Sequence, residues 1–327
     1  VLAFSDADII RMATDDFVAL AGDDWYQRRR QDEVGKFWIS IANQGPRREG
    51  GTRQGIYCFT GEGKLLAYKN AGQNPEVMRQ VLKDALEKFR QLSPEKRKPG
   101  AATVGDVAKL DQRYDRTPPP GGLIVKVYTR ILDRTDQGGF CKGTCNVQGG
   151  DQAARDHLWL TAAEWKGLVP KQLKPNERVP VPSAITERIA RFHLVDNTRG
   201  EPTMWQRREI RANDLTLTVT EVTADLVKMK LEGSMVLATA EDLDKASRGF
   251  DTRLLGFAVY HRGREAFTQF DLAAVGEHWG RGTFTGRARP GRSLLGVAFE
   301  LASGDSPEDR IPPQAARDLN TYLDTGR

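Results

Sequence analysis

Cys141-Lys142-Gly143-Thr144-Cys145 is the spacing in this chain with most chemistry in it, set in the glycine-rich stretch from Gly138 to Gly150. Soft thiolates favour Cu(I) or Zn, and a separate imidazole can complete a low-coordinate site. His157 follows at a workable distance, so Cys141, Cys145 and His157 form a candidate copper or zinc set. Two other readings stand beside it. Three intervening residues with a glycine also permit a disulfide, whose short loop contributes about 2 kcal/mol or less. Lys142 between the thiols favours thiolate, which keeps a redox-cycling pair open. Disulfide, thiol pair and metal site are all compatible with the spacing.

Gly276-Glu277-His278-Trp279-Gly280 places a carboxylate beside an imidazole, with Asp271 nearby in sequence. An acid/base pair or a ligand set can be built from such groups; a histidine bonded to backbone is the plainer reading. Four histidines in the whole chain exclude a histidine-rich cluster without carboxylates. Cys58 is either a lone reactive thiol or a small core residue, since unpaired cysteines are among the most buried side chains. Asp196-Asn197-Thr198-Arg199-Gly200-Glu201-Pro202 has turn chemistry. Trp205 with Arg207, Arg208 and Arg211 makes either an aromatic, basic surface or a core indole beside solvated arginines. The chain carries no phosphate-binding Gly-x-x-x-x-Gly-Lys-Ser/Thr, no Gly-x-Gly-x-x-Gly after a strand, no His-Glu-x-x-His and no Gly-x-Ser-x-Gly. A nucleotide enzyme, a zincin protease and an α/β-hydrolase are therefore disfavoured.

The elements that would position these groups fall into two regimes. At 327 residues, two domains are the natural expectation. The excess of 49 basic over 44 acidic residues is dispersed along the chain, which argues against a nucleic-acid stripe. No apolar run approaches the ~18 residues of a membrane span. In the first regime, Phe17–Ala21 reads as a short buried strand and Asp32–Ala42 as a helix. Gly55–Thr60 and Lys64–Tyr68 read as a hairpin across Gly61-Glu62-Gly63. Asn74 and Pro75 are an N-cap and first position for a helix carrying Val77, Met78, Val81, Leu82, Ala85, Leu86 and Phe89 on one face. Prolines and glycines from Ser93 to Gly122 predict a stiff spacer. Beyond it, Leu123–Tyr128 is a strand, Thr161-x-x-Glu164 a capping box, and Ser183–Arg191 helical. Leu215–Thr220 and Val227–Leu231 alternate strictly as strands, Leu254–Tyr260 and Glu265–Phe270 read as a hairpin across Arg262-Gly263, and Thr283–Phe284 and Ser293–Leu301 complete the set.

The first regime resembles the thioredoxin superfamily. Trp25-Tyr26-Gln27-Arg28-Arg29 stands where a thioredoxin carries Trp-Cys-x-x-Cys, and Gly55-Ile56-Tyr57 where it carries Gly-Ile-Pro. The resemblance covers residues 1–92 and is strongest from Arg53 to Phe89. It implies a retained scaffold without disulfide chemistry, because one cysteine must attack as a thiolate, and both cysteines and the facing proline are replaced. Arg28, Arg29 and Arg30 then offer anion contacts or a solvated helix face. The Cys-x-x-x-Cys with a later histidine is similar to the pattern of copper-delivery proteins and of the dinuclear copper centre of cytochrome oxidase. The rest of the chain resembles a set of exported bacterial proteins with no activity attached. Export is therefore expected, and a chain opening on Val1 is compatible with a removed signal peptide or a trimmed start.

The expected architecture is an α/β thioredoxin-like N-terminal domain (1–92), a Pro/Gly-rich linker (93–122) and a mostly-β antiparallel sandwich or barrel (123–327). The expected function is a non-catalytic binding or structural protein using the inactive domain to engage another protein. The expected alternative is thiol, copper or zinc handling through Cys141 and Cys145. No other cofactor is implied.

Overall fold

The computed structural model describes residues 2–46, 52–70, 74–98, 106, 108–132, 134–135, 137–140, 153–285 and 290–324. The chain divides into two compact units, residues 1–116 and 117–327.

In the first unit, α1 (Ala7–Asp15) is capped by Asp6, whose side chain accepts the Asp8 and Ile9 N–H groups. A short α2 (Asp24–Gln27) capped by Asp23 precedes α3 (Glu33–Ala42), capped by Asp32. β1 (Ile56–Phe59) and β2 (Leu65–Lys69) pair antiparallel across a turn in which Gly63 takes φ 83°, where a side chain would be strained. α4 (Pro75–Arg90) begins where the sequence indicates, with Asn74 accepting from the Glu76 and Val77 N–H groups. Met78, Leu82 and Ala85 of α4 pack with Ile9 and Met12 of α1 and with Cys58 and Leu66 of the hairpin. A four-residue α5 (Pro94–Arg97) follows.

The expected strand over Phe17–Ala21 is absent. Val18 is 88% exposed and Leu20 79%, so the run has neither the neighbouring strand nor the cover a buried strand requires. Part of the expected spacer also belongs to the first unit. The Asp111 carboxylate accepts the Gln31 N–H and the Asp111 N–H donates to Asp32, while Tyr114 meets the Trp25 ring edge-on. These bonds outweigh the extended preference of the proline-rich flank.

The second unit is built on one eight-stranded antiparallel sheet in the order β4-β3-β12-β10-β9-β8-β7-β5. Its strands are β3 (Leu123–Ile131), β4 (Ala154–Leu160), β5 (Arg178–Pro180), β7 (Ile210–Val222), β8 (Leu226–Ala238), β9 (Gly249–His261), β10 (Ala266–Trp279) and β12 (Ser293–Leu301). A separate two-stranded pairing joins β6 (Gly200–Glu201) to β11 (Phe284–Thr285). The expected antiparallel, β-rich character holds, but the long strands form a single sheet, and its buried face is covered by helices. Those are α6 (Ala162–Lys166) and α7 (Ser183–Arg188), the latter running on as a π turn over Ile189–His193. Ile185, Ile189, Trp165 and Trp205 join inward residues of every long strand in one core. α8 (Leu319–Leu323) seats Tyr322 against Trp159 and Phe192.

Strict alternation along β9 puts Phe250, Thr252, Leu254, Gly256 and Ala258 inside and Leu255 and Phe257 outside. Inward-facing Gly233, Gly256 and Gly276 lie on the neighbouring strands β8, β9 and β10. A Cβ at any of them would collide with the carbonyl oxygen of Asp214, Asp271 or Asp251 on the adjoining strand. Glycine lets the strands approach and bend there, which curves the sheet around its helical filling.

Candidate functional site

A partly open recess with free space for about one water molecule lies in the second unit, where the loop after the π turn meets the end of β10. Asp196, Arg199, Thr203, Trp205, Arg248 and His278 are among the residues that line it. Strand alternation aims His278 inward, and it sits edge-on to Phe250. Asp196 opens an Asx-type turn: one carboxylate oxygen accepts the Thr198 N–H and hydroxyl, and the other accepts Arg199 Nε at 2.6 Å. Burial pushes the Asp196 carboxyl up, but Thr198, Arg199 and His278 together hold it below its ordinary range. Arg199 Nη2 also donates to the Gly280 carbonyl at 3.1 Å.

Arg248 is held differently. Its guanidinium lies 3.7 Å above the Trp205 ring, and Trp205 Nε1 donates to the Leu194 carbonyl at 2.8 Å, which fixes the indole beneath it. One bond leaves the guanidinium, from Nη1 to the Thr203 carbonyl at 2.5 Å. The closest carboxylate oxygen, on Glu209, is 3.9 Å from Nη2, and burial lowers the Arg248 pKa.

A second polar cluster ties the C-terminal segment to β4. Arg188 donates to both carboxylate oxygens of Glu164 at 2.7 and 2.6 Å, to the Trp159 carbonyl at 3.1 Å and to the Tyr322 carbonyl at 2.8 Å. Burial opposes the Glu164 charge, yet Arg188 and Thr161 keep its pKa below the ordinary value. The Tyr322 hydroxyl accepts the Trp159 N–H at 3.1 Å and lies 3.0 Å from His193 Nε2. His193 Nδ1 lies 3.4 Å from an Asp156 carboxylate oxygen without a hydrogen bond. Carboxylate, imidazole and phenol stand in the order of a catalytic relay. The hydroxyl is spent on backbone, however, and Tyr322 is 1% exposed, so the cluster is a fastening.

In the first unit, Tyr26 is buried and Arg29 is half-buried. The Arg29 guanidinium stacks 4.3 Å from the Trp25 ring and donates to the Trp25 carbonyl. Arg30 grips Asp32 through both its fork nitrogens, which, with the Asp111 and Gly35 N–H groups, brings the Asp32 pKa down to about 2 despite burial. Tyr57 meets Trp38 edge-on and lies tilted against Tyr68.

The residues singled out in the sequence do not assemble as one site. Cys141 and Cys145 lie outside the described residues. His157 on β4 is buried near Asp156 and Asp309; burial lowers its pKa and its Nδ1 has no hydrogen-bond partner. Among the described residues no group of three or more His, Cys, Asp or Glu side chains is arranged to hold a metal ion. Glu277 and His278 are separated by the pleat: His278 enters the recess while Glu277 faces outward, 3.5 Å from Arg292. The acid/base pairing expected of these two neighbours is overturned, because successive strand residues point to opposite faces. Cys58 sits opposite Ala67 in the hairpin, and burial raises its thiol to about 11, which removes the thiolate a lone reactive cysteine needs. Two suggestions do converge, since the Asp196–Pro202 turn with Trp205 and the imidazole of His278 meet in the recess. Arg248 was not foreseen: Ser247-Arg248-Gly249 carries no motif, and only the β8–β9 register brings it over Trp205.

Compared with protein-family models, curated proteins and solved structures, the chain matches none.

Proposed function

We propose that this is a non-catalytic binding protein, exported, whose first unit is a thioredoxin-like module without redox chemistry that engages another protein. The observation that carries the reading is the state of Cys58. It is the one cysteine among the described residues, it is buried, and burial pushes its thiol up to about 11, above the range of an attacking thiolate. On the thioredoxin-like reading, Tyr26 and Arg29 stand for the reactive pair; Tyr26 is buried and the Arg29 guanidinium lies over the Trp25 ring. Trp25, Tyr114 and Arg113 cluster on this unit, and these are residue types enriched where proteins meet.

The competing function, thiol or copper/zinc handling through Cys141 and Cys145, is separated from this one by a direct test. Thiols are titrated in the purified full chain under native conditions, bound copper and zinc are measured, and insulin reduction is assayed. A Cys141–Cys145 disulfide, no stoichiometric metal and no reductase activity support the binding function. One equivalent of copper or zinc that vanishes in Cys141→Ser replaces it with the metal function.

A further inference from the structure

We infer that the recess of the second unit is a carboxylate-binding site built on Arg248, which goes beyond the binding function proposed above for the first unit. Arg248 Nη1 is used by the Thr203 carbonyl, but Nε and Nη2, the two nitrogens that form the side-on fork, make no hydrogen bond. Neither is sealed from solvent, although the Arg248 side chain is only 9% exposed. A guanidinium fork of this kind matches the two oxygens of a carboxylate. Stacking on Trp205 fixes the plane of the fork, so little rotamer freedom is lost when the fork is filled.

Glu209 fails to fill it for a stated reason. Its Oε2 accepts the Gln206 N–H at 2.8 Å in a reciprocal cap of the turn at Arg207–Glu209, and this holds the carboxylate 3.9 Å from Nη2. Around the fork, Asp196 is spent on Thr198 and Arg199, and Arg199 on Asp196 and Gly280. Arg248 is thus the cation with open donors among groups that otherwise satisfy one another. The free space holds about one water molecule, so a ligand reaches the fork with its carboxylate group alone and keeps the rest outside the mouth, as a small free acid or a carboxylate closing a longer chain can.

The test titrates the full chain with sodium acetate, N-acetylalanine and N-acetylalanine amide, with chloride at matched ionic strength as reference. Tryptophan fluorescence and the thermal midpoint are read out. Saturable binding of acetate or N-acetylalanine, with the amide silent, is the expected result. Acetate alone identifies a small free acid, and N-acetylalanine binding as well or better identifies a chain terminus. Arg248→Lys, which keeps the charge and loses the fork, weakens binding roughly tenfold. Should that variant unfold, Glu209→Gln decides. Glutamine still caps the turn but removes the rival carboxylate, so affinity rises roughly tenfold. Equal binding of acid and amide, tighter binding of inorganic phosphate than of acetate, or no change of affinity in Glu209→Gln each overturns the site. Loss of the carboxylate site leaves the binding function of the whole protein standing, whereas metal or reductase activity at Cys141 and Cys145 would remove that function and leave the recess untouched.

Discussion

Replacing Arg188 with methionine exposes how the second unit is held together. Methionine keeps much of the volume and deletes the guanidinium, which is 1% exposed and gives four hydrogen bonds. The Glu164 carboxylate is then buried with only its Thr161 donors, and the carbonyls of Trp159 and Tyr322 lose theirs. Breaking one side of a buried pair costs about 3–5 kcal/mol, and the two freed carbonyls place Arg188→Met at the upper end of that range. Glu164→Gln preserves the capping geometry of α6 and costs less. In the double variant no uncompensated charge remains, so the two changes together are milder than their sum by about 2 kcal/mol. Urea unfolding followed by tryptophan fluorescence reads this, since Trp159, Trp165, Trp205 and Trp279 all lie in the second unit. The pH dependence has a defined sign. Glu164 has a folded pKa below its unfolded value, so its contribution is complete above the ordinary carboxyl range and fades as pH falls below it. A loss under about 1 kcal/mol in Arg188→Met, or strict additivity with Glu164→Gln, would refute the reasoning.

Three further outcomes follow from the same geometry. Tyr322→Phe strands the buried Trp159 N–H and costs about 1–3 kcal/mol in urea unfolding, with hydrogen exchange at Trp159 accelerated. His157 has a folded pKa below its unfolded value, so stability drops as pH falls from about 6.5 through the folded value, and His157→Leu flattens that slope in thermal melts. Gly276→Val drives a side chain into the Asp251 carbonyl across the β9–β10 pair and lowers stability by about 1–3 kcal/mol, whereas Val275→Thr on the outer face changes it by less than about 0.5 kcal/mol.

Much of the local structure was legible because it is local. The Asn74-Pro75 start of α4, the Thr161/Glu164 capping box and the alternation of β7 and β8 are each dictated by neighbours in sequence. Phe17–Ala21 misled because an apolar run becomes a strand only beside a partner, and the partner is a tertiary fact. The antiparallel, β-rich character of the second unit was legible, but its arrangement as one eight-stranded sheet was not, because strand periodicity reports a buried face without saying whether a sheet or a helix covers it. Glu277 and His278 looked paired in one dimension, and the pleat parts them. Trp205 and His278 were visible as residues of interest, yet their meeting depends on β9 and on Arg248, separated from Trp205 by two long strands.

The most direct measurement is a native-state thiol titration of the full chain with a chromogenic disulfide, paired with metal analysis and repeated in denaturant. Cys58 must stay silent until the protein unfolds and then react once, with Cys141 and Cys145 contributing no thiols before reduction and no copper or zinc bound. A fast-reacting Cys58 in the folded protein, or a stoichiometric metal lost in Cys145→Ser, would contradict a binding protein that has no thiol chemistry.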